Sequence, residues 1–173
     1  KKESQEICFV PDGDYAGFIG RYLEVENETE RLPGSGEIVD SNGRVIGKHE
    51  GIHRYTVGQR RGIGISDARP LYVLSVHPNL NRVAVGSSEE LLSSEFTAAG
   101  VNWITFDNPT EPVRADVRVR CRHTAAPATI TPRAGSRAHI IFDEPQRAIT
   151  PGQATVFYRG DEVVGGGWIV RSL

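Results

Sequence analysis

The sequence predicts a mainly β protein, α+β in class, with strands dominating and one short helix near its start. Three observations carry this. From Gly34 onward, short β-favouring runs alternate with turns rich in Gly, Pro, Asn and Asp, the pattern of barrels and sandwiches. One stretch, Asp14 to about Val25, repeats apolar residues at helical spacing. Between two of the runs stands Ser41-Asn42-Gly43, whose Asn-Gly pair favours a hairpin.

The elements follow in chain order. Ile7-Cys8-Phe9-Val10 is a short apolar run closed by Pro11-Asp12-Gly13-Asp14. Proline presets φ, Asp bonds its own backbone and Gly accepts positive φ, so the run stops sharply. The residues alone leave Cys8 two readings, a small core hydrophobe or an edge thiol beside a turn. In the helix, Tyr15, Phe18, Ile19, Tyr22 and Leu23 form one apolar stripe, with Asp14 placed to cap the first turn. The acidic run Glu24 to Glu30 then ends at Leu32-Pro33-Gly34, a linker and an expected domain boundary. Strands are expected at 37–40, 44–48, 54–57, 71–77, 82–85, 100–104, 113–121, 128–131, 138–142, 154–158 and 163–170. Ser87 to Ser93 reads as about one helical turn, a hinge between two β-rich modules.

Composition excludes several classes. With 38% apolar and 24% charged residues among 173, the chain is an ordinary soluble globular protein. Its apolar runs are too short to span a bilayer, and no signal peptide opens it. Two cysteines 113 positions apart give neither a disulfide framework nor zinc spacing, so the cytoplasm is the expected compartment. A start at Lys1-Lys2 without Met suggests a piece of a longer protein.

The net charge of −2 is unevenly spread. Residues 1–40 carry ten acids against four bases, whereas 41–61 carry five bases against Glu50, and 114–139 hold six arginines against Asp116. Two basic islands in a weakly acidic chain suggest a local polyanion-binding surface, with a merely solvated face as the alternative. In the second island Val113, Ala115, Val117, Val119 and Cys121 alternate with Arg114, Asp116, Arg118, Arg120 and Arg122. That reads as one half-buried strand with Cys121 facing the core and an arginine face repeating at roughly 6.6–7 Å, suited to successive phosphates.

Other motifs fail on context. His49-Glu50-Gly51-Ile52-His53 spells the zinc-protease string, but that chemistry needs one helical face, and here Gly47, Gly51 and β-favouring flanks surround it. No metal site is expected. Gly43 to Lys48 is one residue too short between its glycines for a phosphate loop and is followed by His49.

Several long strings resemble the tRNA-specific 2-thiouridylases. The first is Ser4-Gln5-Glu6-Ile7-Cys8-Phe9-Val10-Pro11-Asp12-Gly13-Asp14-Tyr15, and the second runs from His49 through Arg54-Tyr55-Thr56-Val57-Gly58-Gln59-Arg60 to Gly64. Gly36 to Asp40, Pro70 to Val73, Ala148 to Tyr158 and Gly165-Gly166-Gly167-Trp168-Ile169 agree as well. The resemblance implies sulfur-for-oxygen exchange at C2 of a tRNA wobble uridine, with ATP adenylating that oxygen and a cysteine persulfide delivering sulfur. It implies that Cys8 carries the persulfide, that Arg120, Cys121 and Gln153, with Arg122 beside them, contact tRNA, and that a sulfur-donor protein is a partner. The family usually has Tyr where this chain has Cys121. The family's SGGxDS loop, which handles ATP with Mg²⁺, has no counterpart in these residues, so the implied cofactor belongs to an N-terminal domain and none is expected on this chain. The implied layout is a catalytic-domain tail over 1–33, a small central domain over 34–93, and over 94–173 a six-stranded barrel like those of translation elongation factors. A freestanding noncatalytic RNA-binding β-module and a purely structural domain are the competing readings.

Overall fold

Asp14 opens the helix in the manner its side chain dictates, accepting the Gly17 amide at 2.9 Å while its carbonyl takes that of Phe18. The computed structural model describes residue 10, residues 14–26 and residues 34–170, so the run containing Cys8 and the linker at 27–33 lie outside the described residues. The chain divides into two compact units, residues 1–88 and 89–173. The helix α1 spans Tyr15–Val25. Its expected stripe is only partly covered: Leu23 is half-buried, but Ile19 and Tyr22 stay exposed.

The first unit is built on four strands, β1 Gly36–Val39, β2 Val45–His49, β3 Tyr72–His77 and β4 Arg82–Gly86, in the order β2-β1-β4-β3. The Asn-Gly turn forms as expected. Asp40 Oδ1 accepts the amides of Asn42 and Arg44, Oδ2 accepts Arg44 Nε at 2.7 Å, and Gly43 takes φ of +79°. Those short bonds, led by the backbone amide of Arg44, hold the Asp40 carboxyl below its usual range. β1 and β4 run parallel, with Glu37 opposite Arg82 and bonded to it at 2.7 Å. Ile38, Ile52, Ile63, Val73, Val83 and Val85 form this unit's core.

The expected strand at 54–57 does not form. The chain instead makes one 3₁₀ turn, Ile52–Arg54, then an irregular loop up to β3. Gly51 at φ +139° and Gly58 at +87° break extension on both sides. The zinc string is dismantled in the same place. His49 is buried at the end of β2, its Nδ1 accepting the Gly51 amide and its Nε2 donating to the Asn81 carbonyl, both at 3.1 Å. A ring committed at both nitrogens to backbone is a strut.

The second unit is a closed barrel of β5 Leu92–Trp103, β6 Val113–Arg118, β7 Ala126–Arg133, β8 Arg137–Arg147, β9 Ala154–Arg159 and β10 Glu162–Val170, ordered β10-β5-β8-β7-β6-β9. Every neighbouring pair is antiparallel, and closure leaves no open edge. The expected helical turn exists as a 3₁₀ turn, Glu89–Leu91, and β5 starts directly after it. Phe96, Val117, Ile130, Ile140, Phe157 and Ile169 belong to the barrel's core. The glycines of β10 have a packing reason: a Cβ on Gly166 would lie 2.7 Å from the Thr155 carbonyl, and one on Gly167 would lie 2.9 Å from that of Ala99. Backbone from strands on both sides presses in here.

Candidate nucleic-acid interface

One rim of the barrel collects the residues of interest. The antiparallel order brings the ends of β6 and β8 together with the starts of β7 and β9, so the loops 119–125 and 148–153 share that rim. Inward and outward residues alternate through β6 as the sequence predicts: Val113, Val117 and Val119 are buried while Arg114 is exposed.

Beyond Val119 the expectation fails. The strand stops at Arg118, and the His123 amide closes a turn on the Arg120 carbonyl at 3.0 Å. Cys121 therefore sits exposed at the turn, not in the core, because the turn ends the two-residue alternation that would have pointed it inward. Nor do the four arginines form a single strand face. Arg114 and Arg118 stand on β6, Arg120 is half-buried at the bend, and Arg122 is exposed in the turn.

The structure gives each of three arginines a protein partner. Arg114 makes a two-pronged bond to Asp143 at 2.7 and 2.6 Å and also reaches Thr129. The pairing raises the Arg114 pKa and lowers that of Asp143, the mutual side-chain hydrogen bond being the main cause in each. Arg118 lies over the Tyr158 ring, 5.4 Å from its centroid, a cation–π contact. Arg120 donates from one terminal nitrogen to the carbonyls of Arg147 and Ala148, at 2.7 and 3.4 Å.

That last contact ties the two loops together. Ala148 is held at φ +56°, a strained setting for a residue with a Cβ. Its amide donates to Leu91, and its carbonyl also accepts the Thr150 hydroxyl at 3.0 Å. Thr150 begins the turn that presents Gln153, whose amide returns to the Thr150 carbonyl while its own carbonyl takes Ile169. Arg120 and Gln153 are thus the two ends of one braced assembly, linked through Ala148 and Thr150. A guanidinium has five donors, so Arg120 can brace this loop and still offer N–H groups to an anion.

Sequence reasoning missed two members of this rim, His123 and Gln146. The Gln146 amide donates to the Glu144 carbonyl at 2.7 Å, which turns its Oε1 toward His123 Nε2, 2.9 Å away. That bond assigns the proton to Nε2 and leaves Nδ1 as a bare acceptor, buried and without a partner. Burial is the main cause holding the His123 pKa below its ordinary value; the bond to Gln146 works against it, and Arg120 and Arg118 add to it. Arg118 Nε and Gln153 Oε1 are likewise buried and unpartnered on the same rim. Such orphans are uncommon in folded proteins. A histidine directly after an Arg-Cys-Arg string was the available signal for His123; nothing in sequence marked Gln146.

With this geometry in view, relatives assign the chain. Residues 18–87 match the family described as tRNA methyl transferase PRC-barrel domain, and residues 93–169 match the aminomethyltransferase beta-barrel domain. The class is thus a PRC-barrel-type unit followed by a six-stranded barrel. The chain is 52% identical over 172 residues to the tRNA-specific 2-thiouridylase MnmA of Solibacter usitatus, covering 98% of this chain and 46% of that protein. The same enzyme of Geobacter metallireducens is 52% identical over 173 residues, covering 100% and 45%, and that of Chlorobium phaeovibrioides 51% over 174, covering 99% and 47%. The chain belongs to the tRNA-specific 2-thiouridylase family and matches the C-terminal part of its members. It spans slightly under half the length of these curated relatives.

Proposed function

We propose that this chain supplies the persulfide-carrying cysteine and part of the tRNA grip of a tRNA 2-thiouridylase. What supports the reading most is identity near one half, sustained over 98% of the chain, to enzymes named for that reaction. In this reading residues 1–33 are the tail of a catalytic domain, followed by a central unit and a tRNA-binding barrel. Cys8 receives a sulfane sulfur from a donor protein and presents it to C2 of the wobble uridine, whose oxygen ATP has activated. ATP and Mg²⁺ are held by the family's N-terminal domain, so the 173 residues alone neither hydrolyse ATP nor thiolate tRNA. The compartment of this work is the cytoplasm; no helix among the described residues is long and apolar enough to cross a membrane.

On the barrel, Arg120, Arg122 and Gln153 contact tRNA, and Cys121 contributes through its backbone. The braced rim supports this, since a guanidinium already fixed by two carbonyls loses little freedom on meeting a phosphate. Cys8 carries the decisive test. In a full-length thiouridylase built with this chain as its C-terminal part, Cys8→Ser abolishes sulfur transfer while tRNA affinity stays within about twofold, because a neutral thiol-to-hydroxyl change removes the nucleophile and no phosphate contact. Sulfur transfer by the serine variant would reject the persulfide role and favour a noncatalytic RNA-binding module.

A further inference from the structure

The loop joining β2 to β3 is long, irregular and firmly held. Between Glu50 and Leu71 the only regular element is the turn Ile52–Arg54. A segment of that length inside a small unit is ordinarily either disordered or functional. This one is stapled down. Ile52 and Ile63 are buried in the first unit's core, the Gly58 amide donates to Val73, and the Val73 amide donates to Gln59, at 2.8 and 2.9 Å. The Gln59 side chain braces the loop from within, accepting the Thr56 amide at 3.0 Å and donating to the Arg61 carbonyl at 2.8 Å.

Apolar anchors pointing in leave the cations pointing out. Lys48, Arg54, Arg60 and Arg61 are exposed, and among the described residues none of them has an acidic side chain within ion-pair distance. Beside them lies a hollow of about 490 Å³ lined by Lys48, Arg54, Tyr55, Gln59 and the backbone of Gly62 and Gly64, with Glu50 its one acid. Gly62 and Gly64 take φ of +72° and +78°, which keeps that wall free of side chains. The fifth base of this island behaves differently: Arg44 is tied to Asp40 at 2.7 Å.

We propose that this loop is a second RNA contact, in which Arg60 and Arg61, with Lys48 and Arg54 at the hollow, take phosphodiester groups of the tRNA backbone. The inference rests on the tRNA-binding reading of the chain and adds a surface on the first unit. Four cations without an ion-pair partner among the described residues, three on a loop whose conformation is already fixed and Lys48 on the strand before it, suit a sequence-independent polyanion. An acidic protein segment is the other polyanion such a surface could take, and the test separates the two.

The experiment measures tRNA affinity against salt for the unaltered chain, for Arg60→Ala/Arg61→Ala, for Arg60→Lys/Arg61→Lys and for Arg44→Ala, each checked by thermal melting. The double alanine variant weakens binding roughly 10- to 30-fold near 0.15 M salt and lowers the salt slope by roughly 0.9 per lost contact. The lysine pair restores most of both, and Arg44→Ala, already neutralised by Asp40, changes neither. Unchanged affinity and slope in the double alanine variant, while the unaltered chain binds tRNA, overturns the inference alone and leaves an acidic protein as the occupant. An effect of Arg44→Ala equal to the pair's overturns it too, since it would report diffuse charge. Failure of the unaltered chain to bind tRNA overturns both this inference and the reading beneath it.

Discussion

The two basic islands look alike in sequence and are used differently in the structure. In the barrel, Arg114 is gripped by Asp143, Arg118 lies on Tyr158, and Arg120 holds the carbonyls of residues 147 and 148. On the first unit, Arg54, Arg60 and Arg61 project from a loop that apolar anchors and Gln59 hold in place, and among the described residues their guanidiniums make no ion pair. The lesson is that arginine count locates a basic region, whereas partner analysis shows what is left for a ligand. A cation already sharing a carboxylate releases few counterions when a phosphate arrives.

The largest expected difference between the islands is at Arg120. Arg120→Ala removes a charged donor from two carbonyls and the brace on strained Ala148, so the barrel loses about 1–3 kcal/mol. For a unit of this size that is roughly 4–8 °C in melting temperature per kcal/mol. Affinity for tRNA falls as well. Arg60→Ala/Arg61→Ala should leave melting unchanged while weakening binding. If both sets of variants melted at the wild-type temperature, the distinction between bracing and free arginines would collapse.

A smaller effect sharpens the same contrast by manufacturing a free arginine. Asp143→Ala releases Arg114 from its exposed carboxylate, and the freed guanidinium on the barrel wall should raise the salt slope of RNA binding by at most about 0.9. Arg114→Ala in the intact protein should change RNA binding hardly at all. Titrating both variants with tRNA across salt checks this, and a loss of affinity in Asp143→Ala would show that the pair itself, rather than its charge balance, serves the ligand.

Much of this fold could be read from residue patterns, and the failures share a cause. Asp14, the Asn42-Gly43 turn and the alternation through β6 were legible because each depends on near neighbours in sequence. The exposed Cys121 was not, because a turn closed by His123 and Arg120 interrupts an alternation that continues on paper. The strand expected at Arg54 to Val57 failed for a related reason: Tyr, Thr and Val favour extension, but Ile52, Gly58 and Gln59 answer to β3 and the core. Within the candidate site, Arg120 and Gln153 were named through family resemblance. Their linkage through Ala148 and Thr150 depends on contacts 27 and 28 positions apart, which no local pattern encodes.

The smallest effect expected is in pH dependence, and it compares one histidine from each unit. Burial is the first cause of a depressed pKa at both His53 and His123, relative to an ordinary value of 6.5. A folded value below the unfolded one means that the unfolded chain takes up the proton first as pH falls. The stability each neutral ring contributes is therefore complete above about pH 6.5 and is lost as pH drops through the depressed folded value. His123→Gln keeps a donor for Gln146 but cannot titrate, so its melting temperature should fall less than wild type between about pH 7.5 and 5.5; His53→Gln should behave likewise for the first unit. Bound tRNA adds a second test at His123. A phosphate at the barrel rim favours the charged His123 ring and draws its pKa back up, so tRNA binding should strengthen as pH falls, and His123→Gln should remove that gain. The same acid-side gain persisting in His123→Gln would place the responsible proton elsewhere and detach His123 from the RNA-facing rim.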